Sequence, residues 1–403
     1  MSGEEKEVCI PGLDGLRGDW SLGNTLVLYS SSKNGEPSLK ELSWETSLFH
    51  GDYRKLVNES AATFLNLQKS MSGEEDDASK SASLLRLSRQ YRSILKDIQS
   101  RISEEKESEL LYKLELLWNL AEILLVQKTR LGTILPQLLH WIALHFNNPD
   151  ELTRDILSED IPERPESHGS YWKALTLFLL QGRTEQALKL LHLHSEMNSE
   201  PYLSLEELIR KMPFFKGNNM SIPDFEFRWG HWQTEVSSRI SEGDFSSSQE
   251  LSRLAALLSG SEKGTWYEWM CGKLLYTNPI VKVYNLPYHA EQALSAFGGL
   301  EAMCTLDAVI LATMEMDIPA IMHELCSTLD NFCLEEKLTK VVASNNNDNP
   351  NSIWNQLISH HSLWQVGVLY FDHCPLQGSH RLEAVFERIP INNENKANKV
   401  IIW

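Results

Sequence analysis

The spacing of apolar residues changes near position 50. Before it, Pro11, Gly12, Gly15, Gly18, Gly23, Gly35 and Pro37 punctuate two short β-prone runs, 22–30 and 39–49. From residue 52 to residue 342 the apolar positions recur at helical spacing. A polar, Asn-rich stretch at 344–351 reads as a loop, and helical spacing resumes from 352 to the end. The pattern therefore predicts a β segment over 1–50, a helical block over 51–343, and a loop with further helices over 344–403.

The plainest helix covers about 108–127, where Leu110, Leu114, Leu117, Trp118, Ala121, Leu124 and Leu125 fall on one face that other helices must cover. Residues 171–180 are apolar nearly all round and stop at Gly182, so 170–195 reads as a helical hairpin with a minimal turn. Similar hairpins are expected at 306–329 and 363–389. No fixed period links them, which predicts an irregular α-solenoid rather than a regular repeat array. Residues 71–81 and 158–168 are polar and charged, and read as exposed loops between helices.

Charge narrows the range of partners. With 37 Lys plus Arg against 55 Asp plus Glu, the net charge of −18 repels phosphate backbones and argues against direct nucleic-acid binding. The composition, 42% hydrophobic and 23% charged, is that of a chain able to bury a core. Six dispersed cysteines without a C-x-x-C pair, and an acidic amino terminus, suggest free thiols in a reducing compartment. The best apolar stretches, 116–126 and 174–180, are too short to span a bilayer.

Candidate chemistry is sparse. The zinc-protease, serine-hydrolase, P-loop and dinucleotide signatures are missing, and no Glu has a His three residues later. His192 with His194, His360 with His361, and Cys326 with Cys333 near His323 lack the three or four converging ligands of a metal grip. Neither a catalytic residue, a metal site nor a cofactor is expected. The Trp pairs, Trp229 with Trp232 and Trp266 with Trp269, read first as wedges between stacked helices and second as interface residues.

The amino-terminal strands pose the sharpest question. Leu26, Val27, Leu28 and Tyr29 are consecutive, so an isolated strand would be apolar on both faces, and Trp44 and Phe49 add to this. Two readings stand side by side. The strands add to a sheet on another protein, with Leu26, Leu28, Tyr29 and Trp44 as candidate anchors, or they cap this chain's own first helices.

A series of short blocks then resembles a known family. It runs Asn58-Glu59-Ser60, Phe64-Leu65, Leu67-Gln68, Tyr91-Arg92-Ser93, Leu117-Trp118-Asn119-Leu120 and Glu122-Ile123-Leu124. It continues with Leu179, Gln181-Gly182-Arg183, Leu275-Tyr276, Asn278-Pro279, Ser362-Leu363-Trp364-Gln365 with Gly367, Tyr370-Phe371-Asp372, Cys374-Pro375 and Glu387-Arg388-Ile389-Pro390. Their order is similar to that in the 85-kilodalton scaffold nucleoporin of the Y-shaped outer-ring complex. The resemblance implies an irregular α-helical block of trunk and crown, of ancestral coatomer type, preceded by a short β segment. It also implies strands that complete the missing blade of an open Seh-type β-propeller, here 22–30 and 39–49. The implied partners are that propeller and other Y-complex nucleoporins, with the nuclear envelope reached only through the pore. The implied role is non-enzymatic: support of mRNA and protein transport by building the ring.

A single Phe-Gly dipeptide, Phe297-Gly298, excludes a permeability-barrier nucleoporin, which needs many. Relatives in the family continue into a helical tail, whereas a helix starting near Asn392 would end here on the apolar stump Val400-Ile401-Ile402-Trp403. That predicts a truncated or alternatively spliced form. The rival readings are a vesicle-coat helical subunit and a helical enzyme with a cryptic pocket.

Overall fold

The computed structural model describes residues 16–20, 25–30, 39–43, 51–73, 76–127, 132–146, 148–158, 164–215, 220–258, 265–321, 323–325, 363–373 and 383. Three strands, β1 (Leu16–Trp20), β2 (Thr25–Ser30) and β3 (Leu39–Ser43), form an antiparallel sheet in the order β1-β2-β3. β2 begins three residues later than the apolar run suggested, and β1 was absent from the sequence expectation. Its Arg17, Gly18 and Asp19 carry little β propensity, so pairing with β2 rather than local preference defines it. The second expected run, 39–49, is strand only to Ser43; residues 44–50 lie outside the described set.

Thirteen further described elements are α-helices of eight residues or more, from α1 (Gly51–Ser72), α2 (Asp77–Gln99) and α3 (Glu105–Ala121) to α13 (Thr305–Met314); a fourteenth, α14, is Trp364–Asp372. The chain divides into two compact units, residues 1–115 with 323–403, and residues 116–322. In the first, α1 and α2 pack along their length around Ile94, Ile98 and Leu111, and Phe64 of α1 meets Tyr370 of α14 at 4.6 Å. The expected loop at 71–81 is mostly helix. Asp76 accepts a hydrogen bond from the Ser79 amide and starts α2 at Asp77, which leaves a connection of four residues. Polar composition there marks exposed helix ends, not a loop.

The second unit stacks α5 (Pro149–Ser158), α6 (Tyr171–Leu180), α7 (Thr184–Leu191), α8 (Glu200–Lys211) and α9 (Ile222–Glu242) each on the next. α10 (Gln249–Leu258) and α11 (Trp266–Thr277) fold back onto α6, and α11 also meets α4 (Leu135–His145); α12 (Leu286–Ala296) and α13 follow. Neighbour-to-neighbour packing without a repeat is the irregular solenoid that the spacing predicts. The 170–195 hairpin forms as expected. Gly182 turns it at φ +69°, and a Cβ there would lie 3.4 Å from Leu275 and 3.5 Å from Leu139, so glycine suits both the turn and the packing. Gly272 admits a closer approach still: a Cβ would fall 2.5 Å from Leu180. The hairpin expected at 306–329 is described only for α13 and residues 315–321 and 323–325, and that at 363–389 only for 363–373 and 383. The Asn-rich segment and residues 392–403 lie outside the described set.

The face expected for 108–127 is corrected. Its Leu117 and Leu124 are buried as expected, but Trp118 and Leu125 are exposed, and Leu111, Leu116, Leu120 and Ile123 are buried beside them. The stripe Glu115, Asn119 and Glu122, spaced i, i+4, i+7, is also buried. Each member has a polar partner: Glu115 takes Arg92 at 2.9 Å, Asn119 meets His145 Nε2 at 3.0 Å, and Gln127 donates to Glu122 at 3.3 Å. A polar stripe turned inward misleads any reading that sends charge to solvent. The helix closes in a π turn over Glu122–Val126.

Candidate functional site

In the sheet, Cα partners directly opposite one another share a face, and neighbours along a strand alternate. Leu26 pairs with Trp20 and Leu42, and Leu28 pairs with Gly18 and Lys40. Leu26 and Leu28 therefore share one face with Trp20 and Leu42. Tyr29 pairs with Arg17 and Leu39, on the opposite face, together with Val27. The structure thus brings two of the four expected anchors together and sets the third behind them; Trp44 lies outside the described residues. The reading of the residues missed Trp20 and Leu42. Trp20 was detectable as an aromatic just before the Gly23 turn, but only β1 itself gives it a register.

The described residues of the helical units include large aromatic wedges. Trp229 and Trp232 are buried 5.0 Å apart, and Trp232 Nε1 donates to the Leu208 carbonyl at 2.8 Å. Trp266 is buried and donates to Asp307, while Trp269 is half-buried under Lys273. In the second unit a cleft of about 570 Å³ lies among Leu139, His140, Phe214, Phe225, Trp229 and Leu275, and no carboxylate or thiol belongs to its lining. Among the described residues, no three His, Cys, Asp or Glu side chains are grouped to hold a metal ion.

His192 and His194 have different surroundings. His192 meets Glu206 at 3.0 Å on the surface. His194 is buried, 4.1 Å from the Tyr202 ring, and its Nδ1 accepts from the Glu196 amide at 3.0 Å. Burial lowers its pKa, with Glu166 and Glu196 pulling weakly the other way. Burial likewise pushes the Cys271 thiol up to about 12, with a smaller contribution from Glu268, so it is held as an unreactive thiol. Cys326, Cys333, His360 and His361 lie outside the described residues. No described helix is long and apolar enough to cross a membrane.

An irregular stack of aromatic-wedged helices, with a small sheet at its amino terminus, defines a helical scaffold of solenoid type. A family model described as Nup85 nucleoporin matches residues 38–402. The chain belongs to the Nup85 nucleoporin family, scaffold components of the nuclear pore complex at the nuclear envelope. It is 31% identical to the human nuclear pore complex protein Nup85, over 100% of this chain and 69% of that protein. The bovine protein of the same name is 32% identical over the same shares. Nup75 of Drosophila melanogaster is 24% identical over 91% of this chain and 60% of its own length. Family membership implies a structural, non-enzymatic protein.

Proposed function

We propose that this chain is a structural element of the outer ring of the nuclear pore, joined to other Y-complex nucleoporins, and that residues 1–50 complete a blade of a Seh-type β-propeller. In this reading 51–343 is the helical block and 344–403 its continuation. The chain serves mRNA export and protein transport by building the ring, reaches the envelope only through that assembly, and touches no nucleic acid, in keeping with its charge of −18.

The observation that carries the reading is the register of β2. Its Leu26 and Leu28 occupy one face while Val27 and Tyr29 occupy the other, so both sides of the sheet call for apolar cover. A cap laid on one's own helices covers one face; a blade between two neighbouring blades is covered on both. Three short strands also bury too little to be stable alone in water, so their order is best supplied by the host.

The test uses the whole chain mixed with the propeller and followed by co-elution and calorimetric titration. Leu26→Asp with Leu28→Asp should weaken association at least about a hundredfold, since each buries a carboxylate against an apolar wall, while the thermal transition of the helices stays put. A propeller that binds the double variant as well as the wild type, or never binds the wild type, defeats the proposal. Trp44→Ala tests the remaining anchor and should weaken binding less, because a truncated ring leaves no buried charge.

A further inference from the structure

The cleft within the helical unit of residues 116–322 has no part in the reading above. α4, the turn at 181–183, residues 213–215, α9 and α11 all contribute to it, and residues of three blocks singled out in the sequence, Gln181-Gly182-Arg183, Leu275 and Pro279, meet at it. Its volume, about 570 Å³, has room for a few residues of peptide. Its wall is aromatic. Phe215 meets Phe225 edge-on at 5.4 Å, Phe225 stacks on Trp229 at 5.8 Å, and Phe214 is exposed. The guanidinium of Arg183 is engaged, since both Nη atoms donate to Asp150, at 2.8 and 2.9 Å. So is the hydroxyl of Thr133, which donates to the Pro279 and Val281 carbonyls at 2.9 and 3.0 Å. The indole of Trp229 is not. It is 5% exposed, and its Nε1 is shut off from water without an acceptor among the described residues, whereas Trp232 on the same helix donates to Leu208. A buried donor left so is rare and costly.

These features describe an occupant. No carboxylate lies among the described residues of the lining, so a cationic group finds no counter-charge there. The Arg183 charge is already balanced by Asp150, so an anion gains little. What fits is uncharged and apolar, with an acceptor oxygen for the indole. Independently of the blade reading, we propose that the cleft docks an uncharged segment of a partner polypeptide, which inserts a Leu- or Phe-sized side chain among the rings and gives a backbone carbonyl to Trp229 Nε1. A peptide carries that pair of features at each apolar residue, a side chain beside a strong acceptor. Since Nε1 is sealed from water, the segment has to part the groups that cover it. The hydrogen bond it then makes rewards the right residue in the right register, not apolar contact alone.

The experiment follows the indole signals of the whole chain, labelled with 15N at tryptophan, by NMR. Trp229→Phe identifies the Trp229 signal by its loss. N-acetyl-leucine amide and N-acetyl-phenylalanine amide should move the proton of that signal downfield and saturate, with Kd on the order of 1 mM. N-acetylglycine amide and N-acetyl-lysine amide should bind at least about tenfold more weakly, the first lacking the apolar group and the second adding a charge. N-acetyl-Ala-Leu-Ala amide should bind more tightly than the single leucine, because its flanking peptide groups extend the contact. The variant keeps an aromatic ring and removes the donor. Read from the Trp232 signal, it should bind N-acetyl-leucine amide about 3- to 10-fold more weakly, and toluene, which has no acceptor, within about twofold of wild type. Where its thermal transition shows it unfolded, Trp229→Tyr serves both purposes. Capped residues that leave the Trp229 signal in place overturn the proposal. So does toluene bound as tightly as N-acetyl-phenylalanine amide, or a tripeptide bound no more tightly than the single leucine, either of which would mark an apolar pocket for a small free molecule.

Discussion

The β sheet and the helical unit of residues 116–322 solve the same problem in opposite ways. In the helical unit the polar ends of several large aromatics find partners inside the unit. Trp141 Nε1 donates to the Leu116 carbonyl at 3.1 Å, Tyr171 to Leu190 at 3.0 Å, and Tyr276 to Leu179 at 2.7 Å, while their rings are fully buried. Each such side chain removes a large apolar area from water and leaves its own polar atom satisfied. The sheet has 16 residues in its three strands, 5 + 6 + 5, and apolar positions on both faces. A region with enough neighbours closes on itself; a region with too few is, in the reading proposed above, completed by a partner.

The largest effect that would sharpen this contrast is the loss of association already expected for the Leu26 and Leu28 variants without any change in helix stability. The converse comes from the helical unit. Trp232→Ala should cost about 3–5 kcal/mol of stability, because it deletes a buried ring packed on Trp229 and Tyr276 and leaves the Leu208 carbonyl without its donor. Differential scanning calorimetry would read the lowered transition. At temperatures where the variant remains folded, propeller affinity should stay within about twofold of wild type, as expected for sites that share no partners. A large loss of affinity would mean that the two regions are not independent.

How far the sequence could be read follows the same contrast. The hairpin at α6 and α7 was legible because Gly182 punctuates two apolar runs whose partners lie next to them in the chain. The burial of Trp229 and Trp232 followed from helical spacing for the same reason. On α3 the reading failed, since Glu115, Asn119 and Glu122 face inward on account of Arg92, His145 and Gln127, two of which lie more than 20 residues away. Spacing along one helix holds no record of such partners. β1 was missed on similar grounds, because Arg17, Gly18 and Asp19 become strand by pairing with β2. Leu26 and Leu28 were legible as apolar, but their separation from Tyr29 by the plane of the sheet needed the register.

The inward stripe of α3 yields the next largest effect. Glu115 is 2% exposed and receives Arg92 through Nε and Nη2 at 3.0 and 2.9 Å, with Lys96 at 3.3 Å. Glu115→Gln should lower the stability of the unit containing α1 and α2 by about 1–3 kcal/mol, because it removes the charge that compensates a mostly buried guanidinium. Chemical denaturation followed by circular dichroism would measure it. Replacing Arg92 and Glu115 together by Met and Leu should recover much of the loss, since well-packed apolar residues can replace a buried ion pair. A double variant as unstable as the sum of the singles would show that the pair is not one unit.

The smallest effect is a pH dependence confined to the helical unit. His194 lies among Tyr171, Trp172 and Tyr202, at ring separations of 6.0, 5.5 and 4.1 Å, and burial lowers its pKa from 6.5. Its Nδ1 already accepts the Glu196 amide, so the folded state holds the ring neutral. Below pH 6.5 the unfolded chain takes up a proton that the folded chain refuses, so stability falls as pH drops towards the lowered folded pKa and then levels off. One such group sets a ceiling of about 1.4 kcal/mol per pH unit on the slope, and the attraction of Glu166 and Glu196 for the charged ring keeps the effect below it. His289, lowered by burial and by Lys273, adds a dependence of the same sign. Glu166 is lowered as well: burial opposes the shift, while hydrogen bonds from Ser195 outweigh it, so its contribution is lost only as pH falls below 4.5. His194→Gln should therefore flatten, without abolishing, the slope just below pH 6.5 and leave the steeper acid limb unchanged. Equilibrium denaturation at closely spaced pH values would resolve the two windows, and an unaltered slope in the upper one would show that His194 is already solvated in the folded chain.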